Sequence, residues 1–324
     1  MLTSNIEIQN TNIENDIDIE ISENQLIRVN VNKEPGYLTN LRQINKITGL
    51  PDILIELNID GKFNQPVILP DSLITLKISG EYNQPIILPK NSSCTSIYIN
   101  GKFNQPIILP TRIYKISIKG VFNQHIILPD SLYILTIYGE FNKPIIIPYN
   151  VTDIDIKGEF NHPIILPDSF NSLCIAGKFN QSIILPDNLI ELNIGGDFNQ
   201  PIILPNSLIH IELHGKFNQQ IIIPDNVEEL YIHENSKFNQ PIILPYTLNR
   251  LDLTGDFNQH IILPGNLELL CISGKFNQLI ILPDSLKQLY ISEEFNQPII
   301  LPDIIHFLTF GSIINSNSVF MDFT

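Results

Sequence analysis

The chain has 324 residues, 43% of them hydrophobic, and carries a formal charge of −15 from 34 acidic and 19 basic side chains. That balance argues against general nucleic-acid binding, which needs a basic face to displace counterions from phosphates, and against an anionic membrane surface. Three Cys residues, Cys94, Cys174 and Cys271, lie far apart without a CxxC pair; they fit reduced thiols in a cytosol-like compartment rather than a disulfide framework or a thiolate zinc site.

Residues 1–43 stand outside the repeat that fills the rest of the chain. Ile6, Ile8, Ile17, Ile19 and Ile21 alternate with polar residues, as do Val29 and Val31, the period-two pattern of short half-buried strands. A stacked array exposes apolar surface at its first coil, so this segment is expected to act as an N-terminal cap. It has no apolar signal-peptide core, and no run in the chain is long and apolar enough to span a bilayer. The expected localisation is cytoplasmic.

From residue 44 to 302 one motif recurs. An aromatic–Asn pair begins at positions 63, 82, 103, 122, 141, 160, 179, 198, 217, 238, 257, 276 and 295, a spacing of 19 with two steps of 21. Within a unit counted from the aromatic, position two is Asn, three is mostly Gln, five to seven are Ile/Val, Ile and Leu, and eight is Pro. Apolar residues fill eleven, fourteen and sixteen, and Gly usually fills eighteen. Pro at eight, often Pro at four, and Gly at eighteen exclude a helix of useful length. Pro-Asp-Ser and Pro-Asp-Asn are turn-forming segments. Two short strands per coil are expected, at Ile-Ile-Leu and at Leu-x-Ile. One coil cannot bury its own apolar side, whereas stacked coils bury it in continuous rows. The fold class is expected to be all-β: a right-handed parallel β-solenoid of about 14 coils of 19 residues with terminal caps.

Positions fourteen, sixteen, eighteen and the next Phe share one parity, so Gly is expected to point inward beside the ring, and Asn to form an inner amide row. The two-residue insertions fall in Lys90–Ser93 and His233–Ser236 and are expected to bulge outward. Position nineteen reads Lys62, Glu81, Lys102, Val121, Glu140, Glu159, Lys178, Asp197, Lys216, Lys237, Asp256, Lys275, Glu294. The mostly alternating signs suit an ion-pair ladder between neighbouring coils. Position six is Ile in all thirteen units; it is either an outward apolar stripe, suited to self-association, or an inward residue at a corner. Residues 303–324 are read as a degenerate last coil and C-terminal cap.

Chemistry is sparse. The Asp residues at position nine are too interrupted for a calcium row and suit turns. His214 and His233 are expected side by side at position seventeen, with His210 nearby. Without a third ligand they are read as surface residues, and no metal, cofactor or catalytic residue is assigned. Asp155, Glu212 and Asp252 are too dispersed for a glycosidase pair. Functional variety sits on the outward positions thirteen, fifteen and seventeen of the Leu-x-Ile strand. They include Tyr98, Lys115, Tyr138, Asp155, Lys157, His210, Glu212, His214, Tyr231, His233, Arg250, Asp252 and Tyr290. Aromatics with mixed charge suit protein recognition.

The run Leu189-x-x-Leu192-x-Ile194-x-Gly196-x-Phe198-Asn199-Gln200-Pro201, repeated in frame over residues 44–313, resembles the FNIP repeat, a leucine-rich-repeat relative of amoebae and giant viruses. The unit of 19 residues is shorter than that family's usual length of about 22. The resemblance implies a protein-binding solenoid, acting on host proteins in the host cytoplasm if the gene is viral. Some members also carry an F-box and are regarded as ubiquitin-ligase receptors. Leu50-Pro51-Asp52-Ile53-Leu54 resembles the start of an F-box, but it lies in frame with the later Leu-Pro-Asp-Ser-Leu segments, which account for it. The expected function is a non-enzymatic protein-interaction scaffold with no cofactor. A self-assembling structural protein and a substrate receptor lacking an F-box are the alternatives.

Overall fold

The computed structural model describes the backbone of residues 18–21 and 27–31, together with residues 50, 54–61, 64 and 66–311. Ile6, Ile8, Ile17, the coil opening at Ile44, Lys62, Phe63 and residues 312–324 of the expected C-terminal cap lie outside the described residues. Two compact units, residues 1–131 and 132–324, make up the chain.

In the first unit β1 (Asp18–Ile21) pairs antiparallel with β2 (Ile27–Val31). Strand β2 then runs parallel to β3 (Glu56–Ile59), which is followed in parallel by β4 (Thr75–Ile78), β5 (Ser96–Ile99) and β6 (Lys115–Ile118). The second unit is wholly parallel: β7 (Ile134–Ile137), β8 (Asp153–Ile156), β9 (Ser172–Ile175), β10 (Glu191–Ile194), β11 (His210–Leu213), β12 (Glu229–Ile232), β13 (Arg250–Leu253), β14 (Leu269–Ile272), β15 (Gln288–Ile291) and β16 (Phe307–Phe310). Each strand from β3 onward spans positions thirteen to sixteen, and within each unit it pairs in register with its equivalent in the next coil. Leu192, for example, faces Ile211. The described residues contain no helix.

The second strand expected in each coil is not formed. Apart from an isolated bridge at Val67, the Ile-Ile-Leu segments are extended without a ladder. Pro at position eight, joined by Pro at four in eight of the thirteen units, contributes to this by lacking an N–H and fixing the chain beside a three-residue stretch. The period-two alternation survives. Ile107 at position five is buried, whereas Ile108 at six is 86% exposed. All thirteen position-six Ile residues are exposed, from 55% at Ile68 to 90% at Ile300, so the outward reading of this row is the correct one.

The core consists of the rows at one, eleven, fourteen and sixteen. Their members are almost wholly buried within the stack, as Phe198, Leu208, Ile211 and Leu213 show. In the first unit Tyr82, Phe103 and Phe122 stack with centroids 6.0–6.2 Å apart. In the second, the row from Phe141 to Phe295 keeps 6.0–6.3 Å. Adjacent strands lie about 4.8 Å apart. Within each unit the coils therefore splay from the sheet toward the Phe row, which leaves the sheet on the narrow side of the stack. At β16 the pattern ends, and Leu308 and Phe310 are exposed where earlier coils bury positions fourteen and sixteen.

The Gly row works differently from the parity expectation. The strand ends at sixteen, so alternation no longer governs eighteen. Gly177 has φ +71°, and a Cβ there would lie 2.3 Å from the backbone N and 2.4 Å from the O of Gly158, not against a ring. Gly is required because backbone packs directly on backbone, in a left-handed conformation.

The Asn row is half-buried, and its bonds are mixed. The Asn199 Oδ1 accepts the backbone N–H of Asn218 at 2.9 Å and the Gln219 Nε2–H at 3.2 Å. Asn180, Asn218 and Asn239 do the same one coil apart. The side-chain amide thus satisfies a backbone donor at a corner that no ladder reaches. The ion-pair ladder at position nineteen is present. Lys102–Glu81 (3.1 Å), Lys178–Glu159 (3.7 Å) and Lys216–Asp197 (2.7 Å) are paired, and Asp256 receives both Lys237 and Lys275 at 2.9 Å. These pairs are exposed, each contributing about 0–1 kcal/mol, so they serve register more than stability. Both insertions keep the strand register. They are not simple outward bulges, because Ser92 and Ser236 are buried, with Ser92 Oγ accepting the Cys94 N–H and Ser236 Oγ the Phe238 N–H.

Candidate functional site

The outward sheet face carries positions thirteen, fifteen and seventeen. Parallel in-register pairing places like positions of successive coils side by side, so residues 19 apart touch, as do residues two apart on one strand. The sequence-selected residues fall into three groups on this face.

In the first unit Tyr98 lies between two cations, Lys77 at 5.9 Å and Lys115 at 5.6 Å from the ring centroid. In the second, Tyr138, Asp155 and Lys157 converge. Tyr138 hydroxyl donates to Asp155, and the Lys157 ammonium lies 3.3 Å from the same carboxylate and 5.0 Å from the Tyr ring centre. Burial pulls the Lys157 pKa down, but the hydrogen bond to Tyr138 and nearby negative charges outweigh it, and the net shift is upward.

The third group spans β10 to β15. Glu212, at position fifteen of β11, is its centre. His210 Nε2 lies 2.9 Å from Glu212 Oε1, and its Nδ1 lies 3.0 Å from Glu229 Oε2. Tyr231 hydroxyl donates to Glu229 at 3.0 Å. The other Glu212 oxygen, Oε2, accepts from Asn193 Nδ2 at 2.5 Å and faces His214 Nε2 at 3.2 Å and His233 Nε2 at 3.5 Å. The imidazoles of His214 and His233 stack at 3.9 Å, and Arg250 lies over the Tyr231 ring at 5.0 Å.

The electrostatics follow from this geometry. Burial pulls His210 down, but hydrogen bonds to Glu212 and Glu229 outweigh it and raise its pKa to about 9. His210 is thus an imidazolium at neutral pH, bridging two carboxylates. Hydrogen bonds from His210 and His214, with His233 close by at 3.5 Å, hold the Glu212 carboxyl well below the usual carboxylate range, against desolvation. A hydrogen bond from His210 also lowers the Glu229 pKa, against desolvation. Such interlocked groups are pre-organised, which lowers the entropy lost when a surface is engaged.

Two expectations meet the geometry here. His214 and His233, read as surface residues, have side chains 32% and 15% exposed, and the sheet register brings Glu212 to both. Glu229 was missed, although its position could have been found: it is 19 residues from His210, in the same row. Asp252, expected on the exposed face, points away from the coil core but is 0% exposed. It sits between Tyr231 and Cys271 in its row and beside Arg250, and these neighbours close solvent out. Tyr290, two coils beyond Asp252 in the same row, completes the group next to Cys271.

Asp252 supplies a testable pH signature. No hydrogen bond of normal geometry reaches either carboxylate oxygen. Desolvation raises its pKa from 3.8 to about 6, against weaker downward pulls from Thr254, His233, Arg250 and Cys271. The folded state therefore holds a proton that the unfolded chain has already released, and stability falls as pH rises from about 4 through about 6. Asp252→Asn removes this term. In urea titrations at pH 4 and pH 7, the variant is expected to gain on the wild type by on the order of 3 kcal/mol between the two pH values. A constant difference between the two proteins would show that Asp252 is solvated.

Comparison with known proteins bears on the framework. Residues 179–216, 198–235 and 276–312 match the family model of the FNIP repeat. Among solved structures, the chain is similar to CroV588, described as a novel circular LRR protein, with 30% identity and a TM-score of 0.55 over 82% of this chain and 54% of that one. It thus spans about half the length of that relative. Weaker likenesses are to YopM from Yersinia enterocolitica (17% identity, 82% and 84% of the two chains, TM-score 0.34) and to a leucine-rich repeat protein from Bacteroides ovatus (15%, 92% and 89%, 0.29). No curated protein matches the chain. Residues 179–235 and 276–312 thus match FNIP repeats, and they lie on a leucine-rich-repeat-like β-solenoid.

Proposed function

We propose that this FNIP-repeat chain is a non-enzymatic scaffold that binds a protein partner through the outward face of its parallel sheet. The observation that carries this reading is the division of labour within each coil. The rows at one, two, eight, eleven, fourteen and sixteen repeat almost unchanged. The residues at thirteen, fifteen and seventeen differ from coil to coil, yet they are held in place by ion pairs, hydrogen bonds and cation–π contacts. Rigid Tyr and Arg side chains among mixed charges are the composition of interface hot spots. Some of the group is too buried to contact a partner directly, Asp252 above all. The accessible chemistry is that of Tyr98, Lys115, Tyr138, Lys157 and the rims of the His210–Glu212 cluster.

A second reading is favoured by the position-six Ile row, whose exposure suits self-association or docking on the opposite side of the coil. One experiment separates the two. Partners captured from the native cell and identified by mass spectrometry are titrated against the wild type, a sheet-face variant (Lys115→Glu with Lys157→Glu) and a ridge variant (Ile203→Ser with Ile222→Ser). Sheet-face binding predicts at least a tenfold loss in the first variant and little change in the second. The reverse result would assign recognition to the Ile row.

A further inference from the structure

We infer that Glu212, His214 and His233 form a binding site for a divalent transition-metal ion of the Zn2+ class. The case rests on the spacing and chemistry of three donor atoms. Glu212 Oε2 lies 3.2 Å from His214 Nε2 and 3.5 Å from His233 Nε2, and one donor atom from each residue falls within 4.8 Å of the other two. Two metal–ligand bonds of about 2.1 Å at a tetrahedral angle set their donor atoms about 3.4 Å apart. The Glu–His separations already match that figure. The two imidazoles stack at 3.9 Å with 9° between their planes. Aiming two nearly parallel rings at one ion requires a rotation of each about its Cβ–Cγ bond.

The fold explains why these donors meet. His214 and His233 hold position seventeen in consecutive coils, so the sheet register places them in one row. Glu212 is two residues before His214 and points to the same face. One oxygen of the carboxylate is anchored from behind. His210 Nε2 holds Oε1 at 2.9 Å, and His210 is itself fixed by Glu229, which Tyr231 also holds. Anchoring one oxygen presents the other, and such support from outside the ligand set is what orients metal-binding groups. Asn193 donates to Oε2 at 2.5 Å and leaves that oxygen a further lone pair.

A second observation points the same way. The His233 side chain is only 15% exposed, and its Nε2 is buried without a hydrogen bond, its distance to Glu212 being 3.5 Å. A ring nitrogen so placed lacks the partner that buried polar atoms normally have, and a metal ion would supply one. The donor set decides the ion class. Two imidazoles and one carboxylate suit Zn2+ and its neighbours in the first transition row, whereas Ca2+ and Mg2+ require more oxygens. Three protein ligands leave a fourth position for water or for a group on a bound partner.

The test uses the full chain after treatment with a chelator. Zn2+ is titrated calorimetrically, Co2+ is followed by its visible absorption, and Mg2+ serves as the control ion. The expected result is one high-affinity Zn2+ per chain, a Co2+ spectrum of low coordination number, and no response to Mg2+. His214→Ala and His233→Ala should each weaken Zn2+ binding by at least about 10-fold, the loss that even partners outside the ligand set cause, while His260→Ala, at an exposed position elsewhere, should leave it unchanged. Glu212→Gln, which keeps the side-chain shape, gives the same readout if either His variant fails to fold. Absence of Zn2+ binding in the wild type, or binding unchanged within threefold in the folded variants, would overturn the assignment.

Discussion

Gly177→Ala is expected to destabilise the second unit by at least about 4 kcal/mol, an effect outside the ordinary range for one methyl group. Two costs add. An L-residue at φ +71° pays about 1–2 kcal/mol for the left-handed conformation. The new Cβ would also lie 2.3 Å from the Gly158 nitrogen and 2.4 Å from its oxygen, and both are backbone atoms. They cannot retreat without lengthening the 2.7 Å bond from the Lys178 N–H to the Gly158 carbonyl, and with it the spacing of the two coils. The two costs are separable. Asn tolerates the left-handed region better than Ala does, so a pure φ effect would be largely relieved in Gly177→Asn. A clash predicts that both variants are equally damaged. Urea denaturation followed by circular dichroism measures this, and a loss below about 1 kcal/mol in Gly177→Ala would contradict backbone-on-backbone stacking.

Phe198→Ala should be comparably severe. The ring is 0% exposed and lies between Phe179 at 6.1 Å and Phe217 at 6.0 Å. Truncating a buried Phe costs about 3–5 kcal/mol through lost transfer energy and the cavity left behind. Each ring contact contributes about 0.5–1.5 kcal/mol more. Because a stacked array is stabilised by nearest-neighbour interfaces, the cavity weakens two coil–coil contacts at once. Phe295 is the internal control. It is only half-buried and stacks on one described neighbour, Phe276, at 6.3 Å. Phe295→Ala should therefore cost less than half as much as Phe198→Ala in the same denaturation assay. Equal losses would mean that the row does not act as a chain of neighbouring contacts.

These two expectations draw on different kinds of knowledge. That Phe198 lies in a buried row follows from the repeat itself: identical residues 19 apart can be buried together only by superposing successive coils. The charge row at position nineteen is legible for the same reason, and Lys216–Asp197 pairs as its alternation requires. The reason for Gly177 was not legible. Period-two parity aimed it at the ring, because nothing in the sequence says that the strand stops at Ile175. Likewise, Ile-Ile-Leu reads as a strand by composition, but the structure forms no ladder there.

The same division holds at the candidate site. Its members could be chosen from the sequence because they vary where the framework does not. Their grouping could not, because it depends on side-chain reach across coils. Glu212 meeting three His residues, and Asp252 closed off beside Arg250, are products of neighbouring side-chain volume that a position count does not contain.

By itself, then, the sequence determined the period, the stacking register and the core rows of this protein, since a 19-residue repeat with fixed apolar positions admits one way to superpose its coils. The tertiary structure alone decided which segment forms the ladder, that the position-six Ile row faces outward, what each Gly packs against, and which polar groups meet on the sheet face. Each of those depends on where backbone direction changes between elements and on how far the coils splay, and neither quantity is encoded in the spacing of residues along the chain.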